Sequence, residues 1–305
     1  MNKLKISGLL ILACLKLSGQ INMNDSTAQV IGYWDKGEKQ TYTITQEKLS
    51  IAGSDTASRE FCKYAVDITI VDSTASSYLI NWTYRDYEVR SDNELIQKLT
   101  SMLEDITVRI RTDELGAFQE VINWKEVRDY IYKGTKLLKK ETKDIPNMEK
   151  PIEQIEKLYS TKESIQLGAV KEMQQYYTFH SGSYKLGEEY TAEMKLDNLL
   201  WPEPFDANIT VWLDELNPDE NNFIIQMYQQ VDSTQLTNVT YDYLSKIAET
   251  LKKPVPKRED MISLTNDTWV SSRIHESGWV IYSIETKEVK TKDVLSVEER
   301  IIEIQ

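Results

Sequence analysis

The stretch "ELGAFQEVINWKEV" (114–127) recurs as "ESGWVIYSIETKEV" (276–289). Six identities fall at one offset without a gap: Glu114 with Glu276, Gly116 with Gly278, Ile122 with Ile284, and Lys125-Glu126-Val127 with Lys287-Glu288-Val289. An internal repeat constrains a fold more than composition does, because a unit that buries its apolar face in one way can do so twice. The pattern reads as a strand, a tight turn whose glycine takes positive φ, and a returning strand.

Earlier segments recur in the same order. "YWDKGEKQTYT" (33–43) and "YKLGEEYT" (184–191) each place an aromatic before a Gly-Glu turn and a Thr-rich run. "YAVDITIVD" (64–72) is answered by "FDANITVWLD" (205–214), and "SYLINWTYRDYEV" (77–89) by "NFIIQMYQQVD" (222–232). Val66, Ile68 and Ile70 alternate with polar residues, as do Tyr78, Ile80 and Trp82, and as do Ile209, Val211 and Leu213. Period-two placement of β-branched and aromatic residues marks half-buried strands, joined here by the polar turns "STAS" and "ELNPDEN". A helix is expected next in both halves. Leu95, Ile96, Leu99, Met102 and Leu103 share one helical face behind a cap at Asp92 or Asn93. Tyr243, Leu244, Ile247 and Leu251 share another, capped at Thr237 or Asn238 and stopped by Pro254 and Pro256.

The halves diverge after Val127 and Val289. The second continues as a strand in "SVEERIIEIQ". The first turns helical, with three apolar faces: Trp124 to Leu138, Ile152 to Tyr159, and Ile165 to Tyr177. The expectation is an α+β protein of two tandem-duplicated lobes, each an antiparallel β-sheet with a packed helix, joined by a helical connector. The lobes cover 20–123 and 181–305 and the connector 124–180.

Residues 1–19 read as an export signal: Lys3 and Lys5, an apolar run from Ile6 to Leu15, then Ser18 and Gly19. The run is too short to span a bilayer, so no transmembrane segment is expected in the mature chain. Cleavage near Gln20 gives a periplasmic or extracellular protein. Ile11-Leu12-Ala13-Cys14 also reads as a bacterial lipobox, which would make Cys14 a lipid anchor on the outer membrane. After cleavage near Gln20 only Cys62 remains, so no internal disulfide can form. A net charge of −13 repels phosphate backbones and excludes nucleic acid as a partner.

Chemistry-bearing motifs are sparse. The chain has two histidines. His180 stands beside Ser181 and Ser183 without a Gly-flanked nucleophile elbow. It reads instead as a cation closing the connector helix, with Gly182 as the cap. His275 reads as a residue flanking a turn. "DELNPDENN" (214–222) brings Asp214, Asn217, Asp219 and Asn221 near one another, but lacks the glycine and terminal glutamate of a calcium loop and reads as a solvated hairpin tip. No catalytic residue, metal ligand or cofactor motif is picked out. Aromatic residues stand out: 17 Tyr and 7 Trp against 5 Phe. Rings with a polar tip suit ligand clefts, and Trp82, Tyr84, Tyr176 and Tyr177 are the candidate ligand-binding residues.

The reading is an exported, non-catalytic binding or structural protein. One alternative is a carrier holding lipid or another apolar molecule between a curved sheet and helices, an architecture similar to the periplasmic lipoprotein-carrier fold. Another is a hydrolase with dispersed carboxylates.

Overall fold

The protein is seen here as a computed structural model that describes residues 20–53, 55–91, 106–144, 149–197, 203–250, 252–291 and 293–305. The export segment with Cys14, and the helix expected over 92–103, lie outside the described residues. In chain order come β1 (Ile21–Asn22), β2 (Thr27–Gln29), β3 (Lys39–Ala52), β4 (Asp55–Thr74), β5 (Ser77–Ser91), β6 (Thr107–Asp113) and β7 (Phe118–Val121). Four helices follow, α1 (Trp124–Glu141), α2 (Glu149–Leu158), α3 (Lys162–Gly168) and α4 (Lys171–Tyr177). The rest is β8 (Ser183–Lys185), β9 (Glu189–Leu196), β10 (Phe205–Asn217), β11 (Asn222–Val231), α5 (Ser233–Thr250), β12 (Thr265–His275), β13 (Val280–Lys290) and β14 (Val294–Ile304).

Eleven strands form one sheet in the order β7-β6-β5-β4-β3-β14-β13-β12-β11-β10-β9, with every neighbouring pair antiparallel; β1, β2 and β8 form a small second sheet. The fold is therefore α+β with antiparallel sheets. The strands of the two halves share this sheet instead of forming one each. The C-terminal strand β14 lies between β3 and β13 and pairs with β3 from Val294 opposite Ala52 to Ile304 opposite Tyr42. Its position gives both neighbours a partner for backbone groups that an edge would leave open.

Alternation fixes which face is covered. One row of paired residues crosses seven strands: Tyr64, Ile44, Ile302, Ser283, Ser272, Ile225 and Leu213. All seven are buried. The two serines in the middle leave room where large side chains would not. There α4 comes down on the sheet, and Gln175 donates from Nε2 to Ser283 Oγ at 3.0 Å, while Ser272 and Ser283 hydroxyls meet at 2.8 Å. Polar groups this deep are tolerated because each has a partner.

The β6–β7 and β12–β13 hairpins have the same register. Arg111 faces Glu120 and Thr112 faces Phe118; Arg273 faces Tyr282 and Ile274 faces Val280. Both pairings slip at the same step, and both turns carry a glycine at positive φ, +95° at Gly116 and +82° at Gly278. The chain entering from β2 runs between the two turns. Gly32 N–H donates to Leu115 O at 2.9 Å and Tyr33 N–H to Ser277 O at 3.1 Å.

Some expectations shift. The Lys-Glu-Val match has no structural counterpart, because Lys125, Glu126 and Val127 lie in α1 while Lys287, Glu288 and Val289 lie in β13. Asn123 ends the strand: its Oδ1 accepts from Arg109 N–H at 2.7 Å and its Nδ2 donates to Thr107 O at 2.8 Å. The side chain takes over backbone pairing that β7 would otherwise continue. The third connector helix is broken into α3 and α4 around Ala169 and Val170. Helix α5 starts at Ser233, where the Asp232 carboxylate accepts from Gln235 N–H at 2.7 Å, so Thr237 is internal and not a cap. Among the described residues its buried positions are Thr237 and Ala248, whereas Tyr243, Leu244 and Ile247 are exposed; Leu251 of the expected face lies outside the described residues. Thr237 turns inward because its Oγ1 accepts from Leu264 N–H at 2.9 Å.

Candidate functional site

A cavity of about 580 Å³ lies between the β3–β6 part of the sheet and the helices above it. The strands contribute Cys62, Tyr64, Tyr84, Tyr87, Val89 and Val108. The helical side contributes Val127, Tyr130, Ile131, Tyr159 and Glu172. Glu47, Lys48, Glu60, Lys171 and Glu298 also line it.

A bulge shapes this wall. Along β5 the inward residues are Ile80, Trp82 and Tyr84, at strict period two. Opposite β4 the register then shifts between Lys63 and Ala65, and Asp86 adopts φ +59°. One extra residue changes the parity, so Tyr87 and Val89 line the cavity where Tyr84 also does. Tyr87 stacks on Tyr64 with centroids 5.0 Å apart, and Tyr84 lies 5.8 Å from Tyr64. Three phenol rings from two strands thus form one wall.

Glu172 on α4 is a buried carboxylate that lines the cavity, and it accepts a hydrogen bond from the Tyr84 hydroxyl. Tyr64, Tyr84 and Tyr87 are all held well above the ordinary phenol range, first by burial and then by the negative charge of Glu172. The Cys62 thiol is pushed up to about 11 by burial and, secondarily, by Glu172. These hydroxyls and this thiol stay protonated at neutral pH, which makes them neutral donors and apolar surface and not nucleophiles. Arg300 sits behind this wall, 2% exposed, with Nη1 donating to Glu285 at 2.9 Å and to Gln175 at 3.3 Å.

The four candidate aromatics converge. Trp82 lies edge-on to Tyr176 at 5.3 Å, its Nε1 donates to the Tyr177 hydroxyl at 3.4 Å, and Tyr84 neighbours them on β5. Of the four, Tyr84 lines the cavity, while Trp82 is buried in the core beneath α4, against Tyr176 and Tyr177 of that helix's buried face. Sequence reasoning missed Glu172, Tyr64 and Tyr87. A signal for two of them was present. Glu172 stands four residues before Tyr176, a charge on a buried helical face, and Tyr87 follows Tyr84 by three, which breaks the strand period.

The histidines lie elsewhere. His180 is buried three residues beyond the end of α4, where its Nε2 donates to Gly278 O at 2.9 Å. Burial lowers its pKa to about 4, so it is neutral at pH 7 and not the helix-closing cation expected. The left-handed residue after the helix is Ser181, at φ +67°, and not Gly182. Gly182 serves a different need: a Cβ there would meet the Tyr184 hydroxyl at 2.2 Å. His275 bonds Ser277 across its turn through Nδ1 at 2.8 Å. At the β10–β11 tip Asn217 bonds Asn222, and Asn221 is left-handed at φ +53°. Among the described residues no group of three or more His, Cys, Asp or Glu side chains converges as a metal site would require, and no helix is long and apolar enough to cross a membrane.

No protein-family model matches the chain, and no curated protein matches it. A solved structure from Alicyclobacillus acidocaldarius, a conserved protein of unknown function with a hot dog fold, is similar at 10% identity over 89% of this chain and 80% of that one, with a TM-score of 0.11. A likeness at that level carries no argument about fold or function.

Proposed function

We propose that this is an exported binding protein that holds a small apolar or amphiphilic molecule between its sheet and its helices. The observation that carries this reading is the cavity of about 580 Å³ walled by Tyr64, Tyr84 and Tyr87 on one side and Tyr130, Ile131 and Tyr159 on the other. Small-molecule sites commonly enclose roughly 300–1,000 Å³ with mostly apolar walls and few polar groups. A purely structural role gives no reason to leave such a volume between a sheet and its covering helices, because close packing there would stabilise the fold. The export half of the proposal rests on the charge–apolar–small order of residues 1–19.

Native mass spectrometry of protein purified from its own host tests the reading. Retention of a small-molecule mass is expected, with loss of that mass in Val108→Trp, whose indole would fill the cavity. A bare chain in both proteins, together with no uptake of any amphiphile by the wild type, would overturn it.

We also infer a tandem duplication as the origin of the sheet. Support comes from the shared slip and register of the two hairpins, the paired glycines, and the meander order of β3–β7 and β9–β13. The residue-for-residue match is carried by residues 109–122 and 271–284; after them the first half turns into α1 while the second continues in β13.

A further inference from the structure

We infer that the molecule held in this cavity is an organic cation, an alkylated ammonium whose charge faces Glu172 and whose alkyl groups lie on the tyrosine rings. The inference rests on the binding reading above and adds the class of ligand. Three observations lead to it.

The first is the buried charge. Glu172 is 7% exposed and lines the cavity from the helical side, and its charge is felt by Tyr64, Tyr84, Tyr87 and Cys62 alike. A buried carboxylate is costly unless opposite charge and hydrogen bonds compensate it. Its described hydrogen bond comes from one neutral hydroxyl, that of Tyr84. The guanidinium of Arg300 feels Glu172 from behind the wall, but its own contacts are Glu285 and Gln175, with Glu298 at 3.6 Å, and it is not part of the lining.

The second is the kind of wall. Tyr64, Tyr84 and Tyr87 present ring surface beside that carboxylate, and Tyr130 and Tyr159 close over it from the helices. Aromatic faces carry negative quadrupole charge and attract a cation that has shed its water. An alkylammonium sheds water more readily than a metal ion and gains from both the rings and the apolar groups around them.

The third is the balance of charge around the rest of the cavity. Glu47, Glu60, Glu172 and Glu298 line it against Lys48 and Lys171. Lys171 itself lies 3.9 Å from Glu298, and from outside the lining Arg59 pairs with Glu47 at 2.9 Å and Arg300 lies 3.6 Å from Glu298, so Glu172 is the lining carboxylate set deepest among the rings. The Tyr84 hydroxyl is committed to Glu172, and the Tyr64 hydroxyl accepts from Gln46 at 3.3 Å. An anionic head group would meet more carboxylate than ammonium, with two of the phenol hydroxyls already engaged.

Isothermal titration calorimetry on the mature chain tests this with octyltrimethylammonium, octanol and octanoate, which share a tail and differ in charge. The expected result is binding of the cation at least about tenfold tighter than octanol, with octanoate weakest. Glu172→Gln should remove that preference while octanol affinity is kept. Tyr87→Leu, which leaves the carboxylate in place, should weaken the cation more than the alcohol and serves where Glu172→Gln does not fold by circular dichroism. Equal binding of cation and alcohol, or tightest binding of octanoate, overturns the cation inference and leaves the cavity reading standing. Failure of all three to bind the wild type overturns both.

Discussion

The hydroxyl of Tyr176 on α4 meets the hydroxyl of Tyr42 on β3 at 2.9 Å, and it also accepts a hydrogen bond from Val280 N–H on β13 at 3.2 Å. One phenol therefore ties the covering helix to strands from both halves of the sheet. Both rings are buried, Tyr42 at 0% and Tyr176 at 1% exposure, so neither group has water as an alternative partner. Tyr176→Phe should leave two buried polar groups unpaired and lower unfolding stability by roughly 1–3 kcal/mol. Tyr42→Phe keeps the Val280 bond and should cost less. Urea titration of the two variants gives the comparison.

Two glycines should differ from a third that shares their backbone conformation. Gly278 has φ +82°, and a Cβ there would stand 2.4 Å from Ile31 O; Gly116 has φ +95° and a Cβ there would stand 3.0 Å from the His180 and Trp34 rings. Gly37 has φ +91° with open space around it. Ala at Gly37 carries conformational strain alone, about 1 kcal/mol. Gly278→Ala adds a clash with backbone that cannot move aside and should be the most damaging of the three, with Gly116→Ala between. Thermal melts in that order are expected; a melt for Gly278→Ala equal to that for Gly37→Ala would contradict the packing argument.

His180 should make the protein acid-sensitive. Its folded pKa is about 4 against an ordinary 6.5, because burial disfavours the imidazolium. The unfolded chain takes up the proton more readily, so stability is fully present above about pH 6.5 and is lost as pH falls toward 4. Within that window the loss approaches about 1.4 kcal/mol per pH unit for this one group. His180→Gln can still donate to Gly278 O and does not titrate, so its stability should show a shallower slope between pH 6.5 and 4.5. Parallel slopes for the two proteins would count against a buried neutral imidazole.

The Cys62 thiol should alkylate slowly. With a pKa of about 11 against the ordinary value near 9, its thiolate fraction at pH 8 is about a hundredfold below that of an unperturbed thiol. Iodoacetamide labelling followed by mass spectrometry should show this slowing in the native protein, its loss in urea, and further protection when octyltrimethylammonium fills the cavity. Labelling of the native chain at the rate of free cysteine would mean that Cys62 faces solvent.

Much of the strand pattern was legible because alternation is a local property. Val66, Ile68, Ile70, Ile80 and Trp82 are inward in the structure and alternate in the sequence, and Gly116 and Gly278 take the positive φ that the turn pattern demanded. The place of Asn123 was not legible, since its effect comes from hydrogen bonds to Arg109 and Thr107 on the neighbouring strand. The cavity wall was half legible: Tyr84 carries a ring suited to a cleft and Tyr87 breaks the strand period after it, but that the break is a bulge turning Tyr87 into the same wall follows only from the pairing with β4.

The sequence alone determined where most of the described strands run and that Gly116 and Gly278 stand in left-handed turns, because sterics and apolar period act within a few residues. Only the tertiary structure decided that β14 joins the halves into one sheet, that His180 is neutral, and that Glu172 meets Tyr64, Tyr84 and Tyr87 around one cavity. Sheet order and desolvation depend on residues far apart in the chain, 88 positions for Tyr84 and Glu172 and 98 for His180 and Gly278, and no local pattern encodes which distant surface will exclude the water.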